Sequence, residues 1–464
     1  MFICRVRKSL TGPVMGIAMI FCVLLLSVCA ASSTPVQVEE PTKLPLLLDT
    51  DMGSSDAMAL LYLLSRADVE LKVVTVAGTG EAYCEYGVRN VLGLLALAGQ
   101  PDVPVACGSP KPLKGENAFP AAWRSRTNRL KGLDLPAVEA EPETSAPELL
   151  KDTIRAAPSK VVILTLGPLT NVAQALLDEP GLAGRIDRIV MMGGAVRAEG
   201  NVEPDFLAEW NFYVDPYAAQ VVFEAGAPIT LIPLDATNFV PATVFTLDAL
   251  AAYHETWQAQ AVYDMFRADS SLYDGFYYFW DPLAAAATLE PELVSLETLK
   301  AKVIQEGDEQ GSTVEAQDGS EMLVALSAEG RRFEEEFIGA LNGGIQVSLP
   351  EQKPDVLVSY DGRKCTYEGP ETVPAGRLVV SVTNTGETDF ALAIVTLQEG
   401  KGAADLLALP DSVKPPWAND LNFTSPPIGG QALGTAQVVQ GPLYFVCLSP
   451  ERVLDVLPTV EVEE

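Results

Sequence analysis

Short apolar runs alternate along the chain with stretches whose apolar residues recur every three or four positions. LPLLLD, VELKVVTVAG, KVVILTLG, RIVMMGG and PITLIPLD have strand length and end at Gly, Asp or Pro. Between them, DAMALLYLLSRA, VRNVLGLLALAG, LTNVAQALLDE and PYAAQVVFEAG carry helical spacing. This alternation predicts an α/β fold, a mostly parallel sheet flanked by helices. Ligands of such sheets sit beyond the carboxyl ends of the strands. Those ends fall at Asp49 and Asp51, Gly78 and Thr79, Leu166 and Gly167, and Met192 and Gly193. Residues 246–289 read as helical, including LAAYHETWQAQAVYDMF and YYFWDPLAAAATL. A hairpin over 300–326 and an amphipathic helix in EGRRFEEEFIGALNG close a first domain, 44–344. Past residue 350 the pattern becomes alternating, rich in turns and free of long helices, which predicts a small all-β sandwich over 345–464.

The amino terminus has a different texture. Arg5, Arg7 and Lys8 precede an apolar run over 14–28, followed by small residues. Residues 1–31 read as a signal peptide or a membrane anchor, and 32–43 as a linker. The expected location is therefore exported: secreted, periplasmic or at the cell surface, membrane-anchored if the run is retained. Of seven cysteines, Cys4, Cys22 and Cys29 fall in this leader. Cys84 and Cys107 lie in the first domain, Cys365 and Cys447 in the last, and two such pairs suit an oxidising compartment.

Charge narrows the function. The formal net charge of −31 argues against a nucleic-acid partner, but not against a small molecule without phosphate. A single histidine, His254, excludes His-rich zinc or copper sites. It also leaves a Ser-His-Asp triad no other base. Its helical surroundings give it a packing role. Asn422-Phe423-Thr424 matches a glycosylation sequon, a pattern too common by chance to carry weight.

The densest chemistry is Asp49-Thr50-Asp51-Met52-Gly53-Ser54-Ser55-Asp56, between a strand and a helix. Gly53 is expected to let the backbone turn sharply. Three carboxylates buried together are costly without a cation. Oxygen donors without His or Cys favour calcium or magnesium. The same residues also describe an ordinary acidic helix start.

This turn resembles the DTDxGxDDA signature of the inosine–uridine-type nucleoside hydrolases. TVAGTGEA, LTLGPLTNVAQAL, MMGGAVRAEGNVEPDFLAEWNFYVDPYAA and FWDPLAAA resemble further motifs of that family, in its order, over 44–344. The resemblance implies calcium-dependent hydrolysis of the N-glycosidic bond of a nucleoside, by a homodimer or homotetramer. It implies Asp51, Asp56, the Leu166 carbonyl and Asp281 as calcium ligands, with Asp51 also the general base. Asn201, Glu209 and Asn211 would bond the ribose hydroxyls, and Met192 and Trp210 would flank sugar or base. Asp49 would support the turn from behind. Ser55, Thr79 and Trp280 occupy substrate-binding positions where the family usually has Asp, Asn and His. Trp280 cannot act as an acid near neutral pH, so the leaving base would rely on stacking, on Tyr277 or Tyr278, or on its own quality as a leaving group. Two other readings keep the fold and metal: hydrolysis of another riboside, and calcium-dependent ligand binding without turnover. The tail carries no such motif and reads as accessory.

Overall fold

The computed structural model describes residues 43–138, 144–273, 277–350, 353–410, 414–426 and 428–463. Residues 1–42, where a signal peptide or membrane anchor is expected, lie outside the described residues. Among the described residues no helix is long and apolar enough to cross a membrane.

Among the described residues, nine strands form the main sheet: β1 (Leu44–Thr50), β2 (Val69–Val76), β3 (Val105–Cys107), β4 (Val161–Thr165), β5 (Ile186–Met192), β6 (Ile229–Ile232), β7 (Val294–Val303), β8 (Thr313–Glu315) and β9 (Ser320–Ala328). Their order is β3-β2-β1-β4-β5-β6-β9-β7-β8. Pairing is parallel from β3 through β6 to β9, and antiparallel where β7 meets β9 and β8. The expected hairpin is β7 and β9. Its second strand also extends the parallel sheet.

Alternation along the central strands β1, β4 and β5 feeds two cores. Leu46 and Leu48 enter one apolar cluster and Leu47 the other. Val162 and Leu164 are likewise opposed to Val161 and Ile163, and Val190 and Met192 to Ile189 and Met191. Both faces of β1, β4 and β5 are covered, so these strands read as continuous apolar runs. Each such Leu, Ile or Val contributes about 1.5–3 kcal/mol on burial. The helix Ser54–Ser65 is buried from Asp56 to Leu63, wedged against the helices Trp280–Leu289, Gly330–Leu341 and Trp257–Ala268.

Strand order reverses at β1. The chain builds outward to β2 and β3 on one side, then returns to lay β4 on the other. The ends of β1 and β4 therefore diverge into loops on opposite faces and leave a crevice between them. The acidic turn leaves β1 at this point, and Leu166-Gly167 leaves β4. The Leu166 N–H donates to Asp49 O at 2.8 Å, which fixes the two ends side by side.

One expected helix is two. The stretch around His254 breaks between the helices Val244–Ala252 and Trp257–Ala268. Thr256 stops it by capping the second helix, accepting the Ala259 N–H at 3.1 Å. His254 packs on Tyr263 with ring centroids 4.6 Å apart.

Among the described residues beyond 350 lie ten strands: β10 (Val356–Tyr360), β11 (Cys365–Glu368), β12 (Thr372–Pro374), β13 (Gly376–Asn384), β14 (Ala391–Leu397), β15 (Ala418–Thr424), β16 (Gln431–Val438), β17 (Gly441–Leu448), β18 (Val453–Val456) and β19 (Val460–Glu463). They form sheets β11-β10-β13-β16 and β12-β19-β17-β14-β15, with β18 paired to β17. One apolar core lies between the sheets. Cys365 of the first sheet is bonded through it to Cys447 of the second. The other disulfide joins Cys84, first residue of the helix Cys84–Leu97, to Cys107 at the end of β3. Arg377 of the sandwich donates two hydrogen bonds, 3.1 and 2.9 Å, to the Asp248 carboxylate of the α/β part.

Candidate active site

The turn after β1 is built around Asp56. Its Oδ1 accepts from the Thr50 hydroxyl at 2.5 Å and the Asp51 N–H at 3.0 Å, and its Oδ2 accepts from the Gly53 N–H at 3.1 Å. The sharp conformation falls on Met52, with φ at 60°, rather than on Gly53, whose φ of −67° suits any residue. Glycine is required at 53 for space, since a Cβ there would overlap the Glu81 carboxylate. Asp51 is gripped in the same way. A Cβ on Gly80 would overlap Asp51 Cβ, and one on Gly167 would come within 2.6 Å of it. Two glycines from the neighbouring strand ends thus let Asp51 stand between β1, β2 and β4.

These residues form the floor of a cavity of about 520 Å³. Asp51, Asp56, Asp281, Leu166, Ser55, Met192, Asn201, Glu209, Trp210, Asn211 and Trp280 all line it. Asp281 arrives from the start of the helix Trp280–Leu289, and its Oδ1 is buried without a hydrogen-bond partner. Burial first, then the neighbouring carboxylates, hold Asp51 and Asp281 well above the ordinary range. Burial raises Asp56 as well, although its hydrogen bonds oppose the shift. Three buried carboxylates that repel one another, one with an orphaned oxygen, suit a hard divalent cation, and the Leu166 carbonyl adds a neutral donor. Among the described residues no three His, Cys, Asp or Glu side chains are placed as they would be around a metal ion. Asp56 points its oxygens at protein donors, and Leu166 O accepts from Asn211 Nδ2 at 3.2 Å.

The loops after β3 and β5, at the same carboxyl edge of the sheet, supply polar and aromatic walls. Glu209 caps the short helix Trp210–Val214, accepting from the N–H groups of Asn211 at 3.0 Å, Phe212 at 3.3 Å and Gly194 at 2.9 Å. Burial pushes it up to about 7 against those hydrogen bonds. Asn201 Oδ1 accepts the Trp210 N–H at 3.1 Å. Asn211 Nδ2 donates to Met192 O at 3.3 Å. Trp210 sits in an aromatic group with Phe119, Trp123 and Tyr213, at centroid separations of 5.3, 5.1 and 5.6 Å. Trp280 meets Tyr277 edge-on at 4.9 Å. Of the two tyrosines, Tyr277 lines the cavity; Tyr278 is bridged to Pro241 instead. Burial keeps Tyr277 well above its usual range, so its hydroxyl stays protonated.

Thr79 does not line the cavity. Its hydroxyl lies 3.1 Å from that of Thr170, which donates to Asp215 Oδ2 at 2.8 Å. Asp49 also lies behind the floor, accepting from Thr75 at 2.6 Å and Asn171 at 2.8 Å. Four contributors had no sequence signal of their own. Phe119 and Trp123 belong to a segment without apolar periodicity. Arg124 donates to Gly78 O at 2.8 Å and so pins the loop after β2. Glu81, on that loop, lines the cavity beside Asp51 and Asp56. Burial and the Asp56 charge push it up to about 7.

The match to known proteins agrees with this geometry. Residues 46–335 fit the family model of the inosine-uridine preferring nucleoside hydrolase. The chain belongs to that family. A uridine nucleosidase 1 from Arabidopsis thaliana is 35% identical over 271 residues, 56% of this chain and 79% of the relative. A pyrimidine-specific ribonucleoside hydrolase from Salmonella enteritidis is 41% identical over 196 residues, 42% of this chain. The chain spans 61% of that relative's length. Among solved structures, the inosine-uridine preferring nucleoside hydrolase of Bacillus anthracis superposes with a TM-score of 0.58 at 29% identity, over 65% of this chain and 99% of its own. A purine-preferring ribonucleoside hydrolase from Gardnerella vaginalis gives 0.57 at 30% identity, over 64% and 98%. The nucleoside hydrolase match ends where the helix Gly330–Leu341 does its packing, so the sandwich is an addition to the family fold.

Proposed function

We propose that the chain hydrolyses the N-glycosidic bond of ribonucleosides to ribose and free base, with calcium at the acidic floor. The observation that carries this reading is the convergence of Asp51, Asp56, Asp281 and the Leu166 carbonyl beneath a cavity walled by Asn201, Asn211 and aromatic rings. A bound divalent cation would supply a water of lowered pKa. Asp51, with Oδ2 on the Glu81 N–H at 3.0 Å, takes the proton of the attacking water. The buried carboxylates face the positive charge that develops on the sugar ring in an oxocarbenium-like transition state. Trp210 and Trp280 offer stacking surfaces to the leaving base. The Tyr277 hydroxyl donates a hydrogen bond to that base in place of the missing histidine.

Two internal disulfides support an exported protein. We assign 44–344 to the catalytic domain and 345–464 to an accessory one, consistent with their separate apolar cores.

The test is release of free base from a panel of purine and pyrimidine ribosides, with calcium and then with chelator. Release that stops with chelator is expected, and the panel names the base. Retained calcium binding without release from any riboside would turn the reading to a calcium-dependent binding protein.

A further inference from the structure

The geometry points to Glu81 as a sugar-binding residue that supplies, from the loop after β2, the carboxylate the acidic turn lacks at Ser55. This inference rests on the riboside reading and names how the site tells ribosides from deoxyribosides.

A ribosyl ring presents a vicinal pair of hydroxyls, and a site that selects for them needs acceptors with free lone pairs. Six carboxylates line the cavity: Asp51, Asp56, Glu81, Glu209, Asp269 and Asp281. Both oxygens of Asp56 are taken by the turn itself. Both oxygens of Glu209 are taken by backbone N–H groups. Asp269 is bonded to Ser271 and paired with Lys131. Asp51 and Asp281 belong to the candidate cation set. Ser55 can offer one hydroxyl, and it lies beside Tyr277 and Asp281. Among the described residues, the Glu81 carboxylate accepts no hydrogen bond.

Glu81 is nonetheless held firmly. Its N–H donates to Asp51 Oδ2 at 3.0 Å, and its C=O accepts from the Thr127 hydroxyl at 2.7 Å. Gly80 lets the loop lie directly on Asp51, and Gly53 leaves room for the Glu81 carboxylate over the turn. The backbone is thus fixed at both sides while the carboxylate is left to face the cavity. A carboxylate accepting from a sugar hydroxyl makes a charge-assisted bond that an analogue lacking the hydroxyl forfeits.

The experiment compares wild type, Glu81→Gln, Glu81→Ala and Glu81→Ala/Ser55→Asp, with calcium, on uridine and 2′-deoxyuridine and on the corresponding inosine pair. Binding of pseudouridine, a C-riboside that cannot be hydrolysed in this way, is measured in parallel by calorimetry. Loss of Glu81 is expected to lower kcat/KM for the riboside roughly tenfold to a hundredfold. The deoxyriboside should change little, so the preference between the two collapses. Ser55→Asp should restore part of it. An unchanged preference in Glu81→Gln and Glu81→Ala, with turnover intact, would overturn the role of Glu81 and leave the hydrolase reading standing. No turnover in wild type, with pseudouridine binding that weakens in the Glu81 variants, would do the reverse. Loss of calcium binding in Glu81→Gln would make Glu81 a cation ligand and overturn the sugar assignment.

Discussion

Asp51→Asn is expected to lower turnover of the best riboside by about 10³-fold or more, while the protein stays folded. The amide has the same shape but cannot accept the proton of water. The contacts that place Asp51 survive the change: Gly80 and Gly167 pack on its Cβ, and an amide oxygen can still accept the Glu81 N–H. The substitution also removes one of the mutually repelling charges around Asp56 and Asp281. Without calcium the variant should therefore melt no lower than wild type. Single-turnover kinetics and melting curves with and without calcium check both halves. Turnover within a few-fold of wild type would sink Asp51 as the base.

The second large effect concerns acidity. Burial pushes Asp49, Glu81, Glu209 and Glu334 each up to about 7, and Asp51, Asp56 and Asp281 are also raised. Every one of these groups holds its proton to a higher pH in the folded chain than in the unfolded one. The folded state thus binds more protons from about pH 4 to about pH 7, and stability falls as pH rises through that window. Below it the penalty is absent, and above it the penalty is complete. One pKa unit is worth about 1.4 kcal/mol, so a single group raised as far as Asp49 accounts for about 4 kcal/mol of this loss. Chelated protein should melt distinctly higher at pH 5.5 than at pH 8. Calcium should reverse much of the loss, because the floor carboxylates then gain by being charged. Added calcium should accordingly raise the melting temperature more at pH 8 than at pH 5.5. A chelated protein equally stable at both pH values would mean that these carboxyls are not buried as described.

The main sheet was legible because both of its faces are covered. Each central strand must then be apolar on both sides, and runs such as VVILT and IVMM follow directly. The acidic turn was legible because three carboxylates at one strand end demand a reason. Its mechanics were not: the left-handed residue is Met52, and Gly53 is there for Glu81. Spacing along the chain says nothing about which side chain from another loop needs the room. Glu81 itself hides in GTGEA, which reads as a flexible turn. Its position depends on Asp51 across a parallel strand pair, a contact thirty residues distant in sequence. Thr79 shows the opposite failure, a residue at a matching position that serves Thr170 and Asp215 rather than the cavity. The helices Ala121–Thr127 and Ala146–Ala156 leave little trace in the sequence: the first is seven residues long, and the second buries only Ala146, Leu150, Lys151 and Ile154, a thin apolar stripe.

Trp123, Trp210 and Trp280 line the cavity, and the chain has five tryptophans in all. Three of the five indoles therefore sit around the place where a ligand would lie. The Trp210 backbone is bonded to Asn201 and its ring is packed against Phe119 and Trp123, so occupancy by sugar or base alters the polarity around an indole in either case. The unlabelled protein carries its own optical reporter, and ligand association can be followed in real time without a coupled assay or an added dye.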